Sequence, residues 1–200
     1  MSGAKAAGQL RASGWARAVN LRGFIRSSLV ATLACLLSAC WLSDRPLLTD
    51  DNSSAVDFTG TYRGLDEEAR SDLVIAATGS RAYEVRQGGE HIAVRYLKLK
   101  GDWYLAQYEG KDEDAGDGED AEVVYLYQPL RAAGGRLYMY SADCDDTPGD
   151  FAGMKRESGA CSFSSPEGLA DAALAFIGRV ERGEISGDPA IWVKVSVTRP

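Results

Sequence analysis

From residue 58 onward the chain consists of short runs in which apolar and polar residues alternate. The run RAYEVRQ places Tyr83 and Val85 on one face, and IWVKVSV places Ile191 and Val193 opposite its polar residues. A period of two with one apolar face is typical of a half-buried β-strand. We therefore expect an all-β or β-rich α+β fold.

Glycine-rich turn signals separate these runs. They occur at Thr78-Gly79-Ser80, Gly88-Gly89, Gly101-Asp102 and Gly134-Gly135. Strand-length runs joined by such short turns favour an antiparallel meander, and we predict that it closes partly or wholly into a barrel. In the run EVVYLYQ both faces are apolar, so its second face needs a cover. A helix, a second sheet layer or a ligand would each provide one.

One helix is predicted in the C-terminal half, before the last strand. The run SSPEGLADAALAFIGRV offers Ser164 or Ser165 as N-cap and has Pro166 in the first turn. Leu169, Phe176 and their neighbours at helical spacing form an apolar stripe, which is typical of a face packed on the core.

The first 39 residues have the organisation of a signal peptide. Five basic residues and no acidic residue precede or flank an apolar run that ends at Cys40. That run matches the roughly 7–15 apolar residues of a signal peptide and is shorter than the roughly 18 of a membrane-spanning helix. The sequence predicts an exported protein.

Leu37-Ser38-Ala39-Cys40 resembles the lipobox of bacterial lipoprotein precursors, position for position. The resemblance implies cleavage before Cys40 and lipidation of Cys40 with several fatty acyl chains, palmitate among them. It also implies a membrane partner, because two or more acyl chains anchor a protein firmly. An ordinary cleaved signal peptide is the alternative.

Position 41 is Trp, whereas Asp after the lipidated cysteine favours the inner membrane in enteric-type lipoproteins. The resemblance therefore implies an outer-membrane protein that faces the periplasm. Residues 40–57 contain Pro, Ser, Asn and Asp without a strand period. We predict that they form a flexible tether of about 20 Å, followed by a single domain over residues 58–200.

The expected mature chain is strongly acidic. The leader contains five of the 22 basic residues and none of the 29 acidic ones, which leaves 17 against 29 and a net charge of −12. Such a surface repels nucleic acid, so no nucleic-acid partner is expected. It would attract a basic protein or cations, or it would serve only to keep the domain soluble.

Four cysteines occur in the chain. Cys35 leaves with the leader and Cys40 takes the lipid, so Cys144 and Cys161 remain as an even pair in an oxidising compartment. We predict a disulfide between them. The pair lacks the C-x-x-C spacing of a redox or metal site.

The sequence carries no recognisable catalytic or cofactor motif. His91 is the single histidine, no G-x-S-x-G motif supplies a nucleophile, and zinc would need more nitrogen or sulfur ligands. The acidic run 112–120 fails the register of a calcium-binding EF-hand loop, so a solvated loop or a weak calcium site remain the alternatives. We expect no enzyme activity, no cofactor and no resident metal.

Tyrosines and tryptophans concentrate on the predicted strands and either fill the core or line a binding site. The candidate ligand or interface residues are Tyr83, Tyr96, Trp103, Tyr125 and Tyr138. FTGTYRG, residues 58–64, resembles the opening strand of lipocalin-like and avidin-like barrels. GSRAY and YLKLKG are similar to motifs of bacterial lysozyme-inhibitor lipoproteins, although the chain length and the acidic loop differ.

Two functions follow as expectations. The domain is a binding module for a small apolar molecule, which requires a cavity of several hundred Å³. Alternatively, it is an acidic interaction or inhibitor module that captures a basic envelope protein.

Overall fold

The computed structural model describes residues 41–65, 71–111, 123–157, 160–185 and 187–195. The leader, Cys40 and the acidic loop 112–120 lie outside these ranges. Within them the chain forms a β-rich fold with one α-helix before the last strand, as predicted. The elements are β1 Trp41–Ser43, β2 Gly60–Gly64, β3 Leu73–Ala77, β4 Tyr83–Gln87, β5 Glu90–Lys100, β6 Trp103–Lys111, β7 Val123–Ala133, β8 Arg136–Met139, a 3₁₀ turn Cys144–Asp146, β9 Met154–Glu157, β10 Ala160–Phe163, α1 Pro166–Glu181 and β11 Ala190–Lys194.

Eight strands close into an antiparallel barrel. The order around it is β2, β3, β4, β5, β6, β7, β8 and β11, and β11 closes the ring because it pairs with both β8 and β2. Three further strands extend from one edge of β7. The long strand β7 runs past the end of β8, and β1 occupies the free half of that edge. Strand β10 pairs in parallel with β1, and β9 completes this extension.

The predicted glycine turns connect neighbouring strands. Gly88 and Gly89 join β4 to β5 with φ of 60° and 94°, and Gly134 and Gly135 join β7 to β8 with φ of 60° and 71°. Positive φ at both central residues is the geometry of the tight hairpin turn whose twist matches the strands, and glycine adopts it without strain. These pairs fix the register of the two hairpins.

The fold has two hydrophobic cores that share the barrel wall. One fills the barrel interior, and the other lies between the outer face of β5–β7 and helix α1. Strand β7 serves both cores: Leu130 faces the interior while Tyr127 faces the helix side. In the run EVVYLYQ, Tyr127 is buried and Tyr125 half-buried on the helix side, whereas Val124 and Leu126 on the other face are half-buried and Val123 is exposed.

Helix α1 begins as its sequence indicated. The Ser165 side chain caps it by accepting a hydrogen bond from the amide of Gly168 at 3.2 Å. The predicted stripe, including Leu169 and Phe176, is buried against the barrel. Gly168 lies so close to the preceding loop that a Cβ atom there would stand 1.8 Å from the carbonyl oxygen of Ala152. No helix in the described ranges is both long and apolar enough to span a bilayer.

The predicted tether over residues 40–57 is wrong for its described part, residues 41–57, because this segment belongs to the folded domain. Trp41 begins β1 and is fully buried, and Leu47 and Leu48 enter the core beside helix α1. Tertiary contacts hold the segment in place, so it can be ordered although its sequence has no strand period. The folded domain therefore begins by Trp41 and not at residue 58.

The orientation expected for the last strand is also wrong. Trp192 faces the barrel interior, whereas Ile191 and Val193 lie half-buried on the outer wall. Trp192 takes the interior position because its ring buries more apolar surface than either aliphatic residue. Lys194, on the same face as Trp192, extends its ammonium group over the ring of Tyr62 at 5.9 Å.

Candidate functional site

The barrel interior is filled by aromatic and aliphatic side chains. Phe58 lies at its centre, in edge-to-face contact with Tyr96 at 5.1 Å and with Tyr104 at 4.9 Å between ring centroids. Tyr83 meets Tyr96 in the same way at 5.4 Å. The other buried members of this core are Tyr62, Leu73, Ile75, Val85, Val94, Ala106, Leu130, Leu137 and Trp192.

The chain before β2 is held to this interior by tyrosine hydroxyl groups. The Tyr83 hydroxyl accepts from the amide of Val56 at 2.8 Å and donates to its carbonyl at 2.9 Å. The Tyr62 hydroxyl donates to the carbonyl of Phe58 at 2.8 Å. The polar tips of two interior tyrosines therefore bind the protein's own backbone.

The space that remains inside the barrel is very small. A cavity of about 10 Å³ lies among Leu73, Tyr96, Tyr108 and their neighbours. This volume is at the lower limit for one water molecule, whereas ligand pockets measure about 300–1,000 Å³. The interior therefore forms a core.

Burial changes the acidity of the interior phenols. Desolvation raises the pKa of Tyr108 above its ordinary value, and desolvation together with the neighbouring tyrosines raises the pKa of Tyr96 well above its ordinary value. Both groups stay neutral at physiological pH, as required for a solid apolar core.

The five candidate residues from the sequence do not converge on one site. Tyr83 and Tyr96 fill the barrel interior. Trp103 is buried beneath helix α1, where its Nε1 donates to Glu181 at 3.1 Å. Tyr125 and Tyr138 are half-buried on the outer face.

A more open groove of about 550 Å³ lies at one end of the barrel. Gly60, Thr61, Gly134–Gly135 and residues 193–195 line it. Among the described residues that line it, Lys194 is the one with a charged side chain and Thr61 the one with a hydroxyl group.

A buried polar network on the outer wall fastens the N-terminal segment. The Tyr127 hydroxyl contacts Ser43 Oγ at 2.7 Å and donates to Gln107 Oε1 at 3.1 Å. Gln107 Oε1 also accepts from the amides of Leu47 and Leu48 at 2.9 and 2.7 Å. Desolvation raises the pKa of Tyr127 to about 12, and the hydrogen bonds of Ser43 and Leu47 partly oppose this rise.

Trp41 is the first residue that the structure describes, and its side chain is fully buried. Its indole Nε1 donates to Thr147 Oγ1 at 2.9 Å. Its ring meets Phe163 and Phe176 edge-on, at 5.7 and 5.9 Å between centroids. The sequence analysis missed this residue, and the only available signal was a large aromatic side chain directly after the apolar run.

The turn that receives the Trp41 indole is stiffened by a disulfide and by an arginine. Cys144 and Cys161 are bonded, as predicted, with their Cα atoms 5.3 Å apart. The Arg156 guanidinium donates to the carbonyls of Cys144, Thr147 and Gly149. Residues 143–150, which we call the disulfide turn, therefore have a fixed position beside Trp41.

The described surface carries acidic groups without a basic partner. Arginines and lysines form ion pairs with the acids Asp50, Asp72, Glu84, Asp102, Asp146, Glu181 and Glu184. Among the described residues no ion pair reaches the exposed carboxylates of Asp44, Asp145, Asp150 and Asp171. Two of the four lie in the disulfide turn.

The described ranges contain no cluster of three or more His, Cys, Asp or Glu residues that could hold a metal ion. His91 is exposed, and its Nδ1 lies 3.3 Å from Glu84. Comparison of the chain with protein-family models, with curated proteins and with solved structures gives no match.

Proposed function

We propose that this chain is a lipid-anchored protein of the bacterial cell envelope whose domain, without catalysis, binds another protein through its outer surface. We place the binding surface on the outside of the domain because the barrel interior is filled by side chains. An interior cavity of about 10 Å³ gives no support to the apolar-ligand hypothesis, which requires several hundred Å³.

The anchor rests on the lipobox at residues 37–40. A disulfide is consistent with an oxidising compartment, because disulfides persist there and are rare in the cytosol. Trp41 in place of Asp favours the outer membrane, with the domain facing the periplasm.

The proposed partner is a basic envelope protein. With 17 basic and 29 acidic residues, the processed chain would have a net charge of −12. Ion pairs engage many of its arginines, and among the described residues none reaches the exposed carboxylates of Asp44, Asp145, Asp150 and Asp171. Such a surface steers a basic protein toward itself and fixes its orientation.

The anchor is tested in cells that are fed an alkyne fatty acid. We expect the wild-type protein to take up the label and to sediment with membranes. The Cys40→Ala variant should do neither and should appear in the soluble periplasmic fraction. An unlabelled wild-type protein, or a labelled Cys40→Ala variant, would contradict the anchor.

Binding is tested with lysozyme, a basic protein that acts in the envelope, and with cytochrome c as a second basic protein. We expect lysozyme to be captured at low ionic strength and released as salt shortens the screening length. Capture of both proteins alike would indicate charge attraction without specificity. Capture of neither, or capture that ignores salt, would contradict the proposed acidic interaction surface.

Paired variants locate the surface. Asp145→Asn with Asp150→Asn removes two exposed charges from the disulfide turn, and Asp171→Asn removes an exposed charge from helix α1. If helix α1 contributes to the interface, Asp171→Asn should weaken lysozyme capture more than the double variant does, although it removes one charge fewer. Equal effects would place the interface elsewhere.

A further inference from the structure

We infer that the lipid anchor holds the domain directly against the bilayer, with the disulfide turn on the membrane-proximal side. This inference rests on the proposed lipidation of Cys40. It goes beyond that proposal because it assigns an orientation and a contact surface to the folded domain.

The absence of a spacer is the first step of the argument. Cys40 directly precedes Trp41 in the chain. Their Cα atoms therefore lie about 3.8 Å apart, as across any trans peptide bond. Trp41 is fully buried, and β1 pairs with β7 on one side and with β10 on the other. The chain therefore has no flexible residues between the acylated position and the folded body.

The second step identifies the surface around that point. In the β-sheet Trp41 lies opposite Cys161, and its indole bonds to Thr147. The disulfide and Arg156 hold the disulfide turn in place. Acyl chains attached at Cys40 must enter the bilayer, so this turn is brought to the lipid headgroups.

The third step identifies the opposite side. Strands β7, β6 and β5 separate β1 from β4 around the barrel. The turn before β4 contains Ser80, and β5 begins at Glu90 directly after the turn that follows β4; both residues are exposed. These two positions lie on the wall across the barrel from β1, and we expect both to be held away from the headgroups.

The chemistry of this surface favours a zwitterionic leaflet. Asp145 and Asp150 are exposed on the turn, and Arg156, which binds the turn, and its neighbour Lys155 are exposed as well, so this surface carries charges of both signs. The membrane partner is therefore a bilayer of zwitterionic lipid into which the protein's own acyl chains insert.

The orientation is tested with the full lipidated protein in phosphatidylcholine vesicles. A fluorophore is attached to a cysteine introduced by Asp145→Cys, Ser80→Cys or Glu90→Cys, while the native disulfide stays oxidised. A quencher carried on lipid headgroups then reports proximity to the bilayer. We expect several-fold stronger quenching at position 145 than at positions 80 and 90.

A variant with a spacer distinguishes a domain of fixed orientation from a domain that is only anchored. A flexible Gly-Ser spacer inserted between Cys40 and Trp41 should reduce the quenching difference, because the domain can then turn freely. Equal quenching at all three positions, in protein whose mass shows the acyl chains, would overturn the inference while the proposed anchor stands. A mass without acyl chains would overturn both.

Discussion

Gln107 on the barrel wall binds both backbone polar groups of Leu48. Its Oε1 accepts from the Leu48 amide at 2.7 Å, and its Nε2 donates to the Leu48 carbonyl at 3.1 Å. One side chain of β6 thus replaces the ladder that a neighbouring strand would provide. The N-terminal segment follows the barrel wall although it has no strand period of its own.

Replacing Gln107 should loosen this segment. Gln107→Leu leaves the buried amide and carbonyl of Leu48 without their side-chain partners, and each such loss costs about 1–3 kcal/mol. We expect the free energy of unfolding in denaturant to fall by about 2–4 kcal/mol. Gln87→Leu, at a half-buried position on β4, is the control and should change stability by less than about 0.5 kcal/mol. Similar losses in the two variants would contradict the role of Gln107.

Phe58 should be the residue whose removal opens the barrel. Phe58→Ala deletes the ring that contacts Tyr96 and Tyr104, and large-to-small changes of this kind cost about 3–5 kcal/mol. The cavity left behind is apolar and should bind benzene or xenon, which the wild-type protein should not bind. Calorimetry and thermal unfolding in the presence of benzene measure both effects. Phe151→Ala, at a half-buried position, should cost less and create no such site.

Two helix glycines should respond in opposite ways to the same substitution. In Gly168→Ala the new Cβ would lie 1.8 Å from the backbone oxygen of Ala152, so the helix must move and stability must fall. In Gly178→Ala the nearest atom is the flexible end of Arg182 at 3.1 Å, and the gain in helix propensity is about 0.5–1 kcal/mol. Thermal unfolding of both variants checks the contrast. A Gly168→Ala variant as stable as the wild-type protein would rule out the close approach of the loop to the helix.

The fold should lose stability at alkaline pH. Burial raises the pKa of Tyr127 to about 12 and also raises the pKa values of Tyr96 and Tyr108, against 10.0 for the ordinary phenol. The folded state therefore keeps these protons when the unfolded state has lost them. The stabilisation is complete below pH 10 and declines as the pH rises from 10 toward 12.

Denaturant unfolding measured at several alkaline pH values, together with tyrosinate absorbance, tests this prediction. Tyr96→Phe removes one of the titrating groups, so its stability should decline less steeply above pH 10 than that of the wild-type protein. A stability that stays constant between pH 10 and 12 would show that the phenols ionise equally well in both states.

Local signals in the sequence were sufficient for the barrel strands, the glycine turns between them and the helix, whereas β1, β9 and β10 were not predicted. The pairs Gly88-Gly89 and Gly134-Gly135 are turns because glycine alone adopts two successive positive φ angles at little cost. Ser165 caps the helix through a contact within three residues. The disulfide followed from counting cysteines.

The features that involve distant residues were missed. Residues 41–57 are ordered by groups on β6 and β7, such as Gln107 and Tyr127, and no local period reports those contacts. The candidate aromatic residues were scattered between two cores, because alternation shows which residues share a face but not what covers that face. Trp192 is a further example. The alternation placed it opposite Ile191 and Val193 but did not show that its own face is the one that points into the barrel.

The place of β1 in the sheet has a consequence for the order of folding. Trp41 bonds to a residue that comes 106 positions later, and β1 is completed only when β10 pairs with it in parallel. Trp41 therefore cannot find its place until nearly the whole chain is available. The N-terminal end of the described domain is among the last parts to be fixed, although it is the first in the sequence.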